Sequence, residues 1–388
     1  MPMFKVLTLN KIAQCGIQEF PTAQFSVSSE EKNPEGILVR SQVIPQEEIN
    51  AELLAVARAG AGTNNIPVDY CTEKGIVVFN APGANANAVK ELALTGMLLA
   101  SRNIVGGINW VQGLAGQTDV AQMVEKGKSQ FVGPELAGKT LGVIGLGATG
   151  ILAANASCAL GMKVIGYDPY VSVDFAWNLS PEVQKAPDLD TVFAESDYIT
   201  LHLPANAKTK GMFNDETFAK CKKGLRLINI SRAELVDDAA VKKAIADGIV
   251  ACYVTDFPNE EMLGNEKIVP IPHLGASSPE SEDNCATMAS AQLRDYLLYG
   301  NIKNSVNFPN CEIPYVGKKR VCVVHRNEAN VMADITGLFA GKGANVANMV
   351  SNSKGDFAYT ILDVNGDVPG GIADELAKLD NVIKVRVI

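Results

Sequence analysis

Histidine is nearly absent from this chain: His202, His273 and His325 are the three among 388 residues. Imidazole chemistry near neutral pH therefore rests on one of three side chains. Basic residues are not in excess. Lys and Arg number 34 against 43 Asp and Glu, for a net charge of −9, which argues against the basic stripe of a nucleic-acid surface. No apolar run reaches the roughly eighteen residues of a membrane span. The stretch Met1 to Asn10 lacks the charged and long apolar regions of a secretion signal. The eight cysteines never fall in a CxxC spacing, so a zinc ribbon or redox motif is not expected and no metal site is assigned. They read as reduced thiols in a cytoplasmic protein. The apolar share, 47%, is that of an ordinary globular protein, and the length suggests two or three domains.

Glycine, by contrast, is placed with purpose. Gly145-Leu146-Gly147-Ala148-Thr149-Gly150 follows the strand-like Lys139 to Ile144 and precedes a helical stretch, Ile151 to Leu160. A second strand, Lys163 to Tyr167, ends in Asp168. Such a series binds a dinucleotide: Gly145 for the tight turn, Gly147 for backbone approach to a pyrophosphate, Gly150 for helix-on-strand packing. The pyrophosphate would sit at the helix N-terminus. Asp168 would accept from a ribose diol and repel a 2′-phosphate, which selects NAD over NADP.

The surrounding pattern is α/β. Phe4–Asn10, Gly36–Arg40, Val56–Ala59 and Ile76–Phe79 read as strands, with helices over Pro45–Glu52 and Ala88–Ser101. Alternation of this kind implies a parallel sheet. The fingerprint begins a second βα series with strands Tyr198–Leu203, Leu225–Asn229 and Cys252–Thr255, and Ser278–Tyr299 reads as a long helix returning to the first domain. Residues 300–318, with Gly300, Asn301, Asn304, Pro309, Pro314 and Gly317, read as a linker. After them the order Arg320–His325, Asn330–Gly341, Asn345–Ser351, Phe357–Val364, Gly371–Leu379, Val382–Ile388 is βαββαβ, a ferredoxin-like module. The expected division is a split first domain (1–100 and 278–310), an inserted cofactor domain (101–277) and a C-terminal module (319–388).

His273 lies in Pro270-Ile271-Pro272-His273-Leu274-Gly275-Ala276, just after a short apolar strand, where open α/β sheets bind ligands. It can take a hydroxyl proton as hydride leaves the carbon, and a carboxylate from Glu260 or Glu261 would raise its pKa and hold its orientation. Arg232 closes Asn229-Ile230-Ser231 at another strand end and can grip a carboxylate with both arms of its guanidinium.

With these motifs the sequence resembles the D-isomer 2-hydroxyacid dehydrogenases over almost its whole length. The match runs through Gly145–Gly150, Tyr167-Asp168-Pro169, Asn214–Asn229 and His273–Ser277. The resemblance implies two Rossmann-like parallel-sheet domains with NAD between strand ends. It implies a catalytic Arg, Glu and His, which carry over to Arg232, Glu261 (or Glu260 if one residue is deleted locally) and His273. It implies cofactor contacts from Gly145, Gly147, Ala148, Thr149, Gly150, Tyr167, Asp168, His202, Pro204, Ile230, Ser231 and Gly275, with Asp256 near the nicotinamide carboxamide. Arg40, Arg58, Ala59, Gly60 and Asn85 fall where a phosphorylated substrate, D-3-phosphoglycerate, is held. Lys126 and Lys128 fall where a partner subunit supplies a basic side chain, in a homodimer or homotetramer. Two departures stand out: Ala233-Glu234 follow Arg232 where the family has small residues, and the stretch from the Glu pair to His273 is short. The C-terminal module resembles an ACT domain, and His325, Asn327 and Asn345 match positions that bind an L-serine effector.

Overall fold

The structure, a computed structural model, describes residues 3–316 and 319–388; Met1 and Pro2 at the N-terminus and Gly317 of the expected linker lie outside them. The chain divides into two compact units: Met1–Asn85 with Pro279–Ile388, and Ala86–Ser278.

In the first unit a five-stranded parallel sheet runs in the order Phe25–Ser28, Phe4–Leu9, Gly36–Val39, Ala55–Arg58, Val77–Phe79. The strand order reverses at Phe4–Leu9, and the residues leaving the carboxyl ends beside it are the ones positioned to meet a ligand. The helix Pro279–Tyr299 lies on this sheet. Ala289, Leu293, Tyr296 and Leu297 are fully buried with Val6, Leu38 and Phe79. Backbone approach is close enough that a Cβ at Gly16 would lie 2.8 Å from that of Ala286. The strand Phe25–Ser28 was not legible in the sequence, because two of its four residues are serine and its one buried side chain is Phe25. The helix expected over Pro45–Glu52 is corrected: one 3₁₀ turn, Gln46–Glu48, forms there. Asn50 instead bonds the Pro34 carbonyl, which ends the turn.

The C-terminal sheet belongs to the same unit. Its antiparallel order, Asn345–Lys354, Phe357–Asn365, Lys319–Arg326, Val382–Val387, is that of a ferredoxin-like module. One face holds Val321, Val323 and Leu362 against Ile335, Phe339 and Leu376 of two helices. The other face, with Cys322, Val324, Tyr359 and Ile361, shares a core with Tyr296 and Leu297. An inner strand covered on both sides explains the unbroken apolar run Val321-Cys322-Val323-Val324. The linker reading of 300–318 is likewise corrected over residues 300–311. Ile302 pairs with Cys311, Ile302 and Phe308 are fully buried, and Asn307 bonds Val78 N, Ile76 O and Thr72 Oγ1. Gly300, Asn301, Asn304 and Pro309 shape a packed turn.

The second unit is a seven-stranded parallel sheet, ordered Ile268–Pro270, Val250–Thr255, Leu225–Asn229, Tyr198–Leu201, Thr140–Ile144, Lys163–Tyr167, Gln184–Lys185. Its order reverses between Tyr198–Leu201 and Thr140–Ile144. The helix Ala86–Ser101, expected in the first domain, packs here: a Cβ on Gly96 would lie 3.3 Å from both Ile228 and Val254. The boundary expected at residue 100 accordingly falls at 85/86. Among the described residues no helix is long and apolar enough to cross a membrane.

Candidate active site

The glycine series does what its spacing asks. Gly145 has φ +95°, and a Cβ there would lie 2.4 Å from the His202 carbonyl oxygen, so the turn after Thr140–Ile144 admits only glycine. A Cβ at Gly150 would stand 1.9 Å from the Gly145 carbonyl oxygen. Gly147 faces open space and precedes the helix Ala148–Ala159, with no side chain capping it. The amides of Ala148, Thr149 and Gly150 thus open a helix whose dipole favours a phosphate. Asp168 follows Tyr167 at the next strand end. Its carboxylate accepts from Leu146 N at 2.9 Å and Tyr170 N at 2.8 Å, which fixes it beside the glycine turn. His202 leaves the neighbouring strand, with Thr200 Oγ1 3.1 Å from its Nε2. Burial holds its pKa down at about 4, so it is neutral. Pro204 accepts from Thr209 Oγ1 at 2.6 Å in the loop that follows.

At the other strand ends, Asp256 is 1% exposed, and neither carboxylate oxygen has a hydrogen-bond partner among the described residues. Burial raises its pKa, opposed first by the nearby charge of His273, then by the neighbouring backbone N–H groups of Asp256 and Gly275 and the charge of Arg232. The structure therefore brings Asp256, His273 and Arg232 into one electrostatic neighbourhood. Gly275 stands next to it, its would-be Cβ 3.6 Å from Asp256 Oδ2. His273 is exposed and leans on the Phe257 ring, centroids 4.7 Å apart.

Arg232 is carried by a braced loop. Buried Asn229 donates from Nδ2 to the Arg232 carbonyl (2.8 Å) and accepts at Oδ1 from Ser231 N (3.2 Å). Ser231 Oγ donates to Leu203 O at 2.7 Å, while Ile230 is buried below. Asn229 is a positioning residue that sequence reasoning missed; its one signal is an amide ending an otherwise apolar strand. The two glutamates are not brought to His273. Glu261 accepts from Lys242 Nζ at 2.6 Å, and that ammonium lowers its pKa. Glu260 is exposed on the same 3₁₀ turn.

In the first unit, Arg40 and Arg58 stand at adjacent strand ends, as expected, but in different roles. Arg58 bends back: Nε donates to the Arg40 carbonyl at 2.9 Å, and Nη1 to Gly62 O at 2.8 Å. It thereby supports the loop Ala59–Gly62. A Cβ on Gly60 would lie 3.0 Å from Arg58 Nη1, so the small residues there make room for a guanidinium. Arg40 turns outward and pairs with Glu282 at 2.7 Å. Asn85 sits partly buried in the turn before Ala86. Lys128 pairs with Glu125, and Lys126 is in the last turn of Val120–Gly127.

In the C-terminal module His325 is 3% exposed, with Nδ1 2.8 Å from Arg326 O and Nε2 2.9 Å from Thr360 Oγ1. Burial lowers its pKa. Asn327 is exposed and donates to Gly355 O at 3.1 Å. Asn345 opposes Asn365, whereas His325 opposes Ala358 on the same strand. At ~3.4 Å per residue, seven positions separate the two by roughly 24 Å. One chain does not gather His325, Asn327 and Asn345 around a single amino acid.

The residues of the second unit suit a nicotinamide dinucleotide: an uncapped helix start behind open Gly147, Asp168 for a diol, and a buried carboxylate with unused acceptors for an amide. Residues 94–277 match the family described as "D-isomer specific 2-hydroxyacid dehydrogenase, NAD binding domain", and residues 321–384 match "AHAS small subunit-like ACT domain". The chain is 33% identical over 361 residues to D-3-phosphoglycerate dehydrogenase of Synechocystis sp., covering 87% of this chain and 62% of that one. It is 35% identical over 289 residues to that of Methanocaldococcus jannaschii, covering 73% and 52%. The chain thus spans about half to three-fifths of the length of these curated relatives. A cofactor (NAD+) bound 3-phosphoglycerate dehydrogenase from Entamoeba histolytica superposes with a TM-score of 0.61 at 25% identity, over 79% of this chain and 99% of that one. The chain is thus similar to the D-3-phosphoglycerate dehydrogenases, with a match to the D-isomer specific 2-hydroxyacid dehydrogenase NAD-binding domain followed by a match to an ACT-like module.

Proposed function

We propose that the chain oxidises D-3-phosphoglycerate to 3-phosphohydroxypyruvate with NAD, the entry step to L-serine. The observation that carries this reading is buried, unpaired Asp256 sharing its surroundings with His273 and Arg232 in an NAD-binding domain. Bound NAD supplies the hydride acceptor. The remaining work falls to side chains of this protein. Arg232, on its Asn229-braced loop, grips the substrate carboxylate beside the carbinol carbon. His273 takes the hydroxyl proton on an imidazole nitrogen. The charge of Asp256 stabilises the imidazolium that results, and Glu261, or Glu260, orients it once Glu261 leaves Lys242. Arg40, beside the loop that Arg58 supports, binds the phosphate.

Homologues named D-3-phosphoglycerate dehydrogenase support the substrate. The eight free cysteines suit a cytoplasmic enzyme. Ile104, Ile108 and Val111, exposed beside an apolar cavity of about 420 Å³, support a homo-oligomer. An amino acid effector at the ACT-like module, L-serine first, would need residues of two chains, since His325 and Asn345 stand at opposite sheet ends.

The test is NADH formation from D-3-phosphoglycerate and NAD at alkaline pH, with and without millimolar serine. Turnover lost in His273→Ala supports the reading. Turnover indifferent to serine keeps the enzyme and removes serine as effector. NAD binding without turnover sinks the substrate assignment.

A further inference from the structure

The helix Pro279–Tyr299 joins two features that the reaction leaves unconnected. Near its N-terminal end, Glu282 holds Arg40 at 2.7 Å, both side chains about two-fifths exposed. At its C-terminal end, where Gly300 N donates to Tyr296 O at 2.8 Å, the last carbonyls also accept from side chains of the last module. Arg386 donates to Tyr296 O at 3.1 Å and to Leu297 O at 2.9 Å, and Arg320 donates to Tyr299 O at 2.8 Å. Tyr359 Oη adds Gly300 O at 2.7 Å. Cations at that terminus also complement the helix dipole. Between the ends, Gln292 donates to Asn80 O, and Asn80 donates to Ala61 O in the loop that Arg58 supports. Ala289, Leu293, Tyr296 and Leu297 are buried, so the helix cannot shift without its neighbours.

We propose that Glu282 is an internal competitor for the substrate's phosphate at Arg40, held in place by a helix that the C-terminal module anchors. The proposal rests on the reading of Arg40 as a phosphate ligand. Two consequences follow from the charges. A carboxylate on the guanidinium cancels its charge and repels an arriving dianion, which at the surface changes affinity by about fivefold. Displacing the helix end frees Arg40, so the module can set substrate affinity without touching the reacting atoms.

The experiment is a double-mutant cycle of Glu282→Gln and Arg386→Lys in the full chain. Two readouts are followed: KM for D-3-phosphoglycerate, and the dissociation constant of inorganic phosphate by calorimetry. Glu282→Gln is expected to lower both about fivefold while kcat moves less than twofold and KM for D-glycerate stays put. Arg386→Lys keeps the charge but loses the two-carbonyl fork, and is expected to lower both constants in the same direction. The double variant is expected to match Glu282→Gln alone, because a neutral residue 282 no longer senses the helix. The two sites lie roughly 21 Å apart along the helix, so independent effects would multiply. An unchanged or raised constant in Glu282→Gln overturns the competition. Multiplying effects, or a folded Arg386→Lys with no shift, overturn the anchoring; Tyr359→Phe replaces Arg386→Lys if that variant does not fold. A chain that binds phosphate by these rules yet turns over no D-3-phosphoglycerate would sink the substrate assignment and leave the competition standing.

Discussion

Asn229 and Gly150 show how little freedom the candidate site leaves to single residues. Asn229 is fully buried and bonded to the backbone at Ser231 and on both sides of Arg232. Asn229→Ala leaves those groups unpaired and frees the Arg232 loop, so kcat/KM for D-3-phosphoglycerate should fall by roughly 10- to 100-fold; an unchanged value would remove Asn229 from the positioning role. Gly150→Ala places a methyl group 1.9 Å from the Gly145 carbonyl oxygen, and calorimetry should show NAD affinity reduced at least about tenfold, a shift of some 1.4 kcal/mol. His202 has its signature in stability. Its pKa is depressed from 6.5 to about 4, so as pH falls the unfolded chain takes up the proton first. Its contribution is complete above about pH 6.5 and is lost progressively down to about pH 4, roughly 3 kcal/mol in all. Denaturant midpoints across that range should flatten in His202→Asn, and an identical acid limb would rule the residue out.

At the scale of elements, the C-terminal sheet is fastened by a buried ion pair set across two strands. Arg320 and Asp363 are directly opposed in register, fully buried, and joined at 2.7 and 3.1 Å. Arg320 also serves the carbonyls of Tyr299 and Ile313 and the Asn301 side chain. With every arm occupied, such a pair adds little over an apolar replacement, yet removing one partner strands a buried charge. Asp363→Asn should therefore lower unfolding free energy by about 3–5 kcal/mol, measured from the urea midpoint of the full chain. A loss under about 1 kcal/mol would mean that water reaches the arginine. The same elements show where sequence reading stopped. The βαββαβ order was legible from period and spacing, and Leu225–Asn229 was placed to the residue. The helix expected over Pro45–Glu52 and the unseen strand Phe25–Ser28 were not. Short polar segments take their structure from a neighbour's hydrogen bonds rather than from their own pattern.

For the whole molecule, the C-terminal module is built into the first unit. One face of its sheet shares a core with the helix Pro279–Tyr299, and Lys384 reaches the Leu53 carbonyl at 2.7 Å. Burial depresses that lysine's pKa to about 8. Truncation after residue 316 would bare Tyr296, Leu297, Ile302 and Phe308, all fully buried in the full chain. Such a chain should aggregate or expose apolar surface to a hydrophobic dye. A truncated protein that stays monomeric with native near-ultraviolet dichroism would show that the module is separable after all.

The sequence by itself determined the placements that depend on local order. A glycine turn, a strand-end acid, an arginine and a histidine each stand where the pattern puts them because the turn or strand end carrying them is specified within a few residues. The βα alternation and the ferredoxin-like order were readable for the same reason. Tertiary structure alone decided which charges meet. Glu261 went to Lys242, Arg58 to backbone carbonyls, Arg40 to Glu282, and Asp256 was left unpaired beside His273. It also decided that residues 300–311 pack tightly rather than link, and that the inner strands of the last sheet are covered on both faces. Those outcomes depend on partners up to 242 positions away in the chain, which no local pattern encodes.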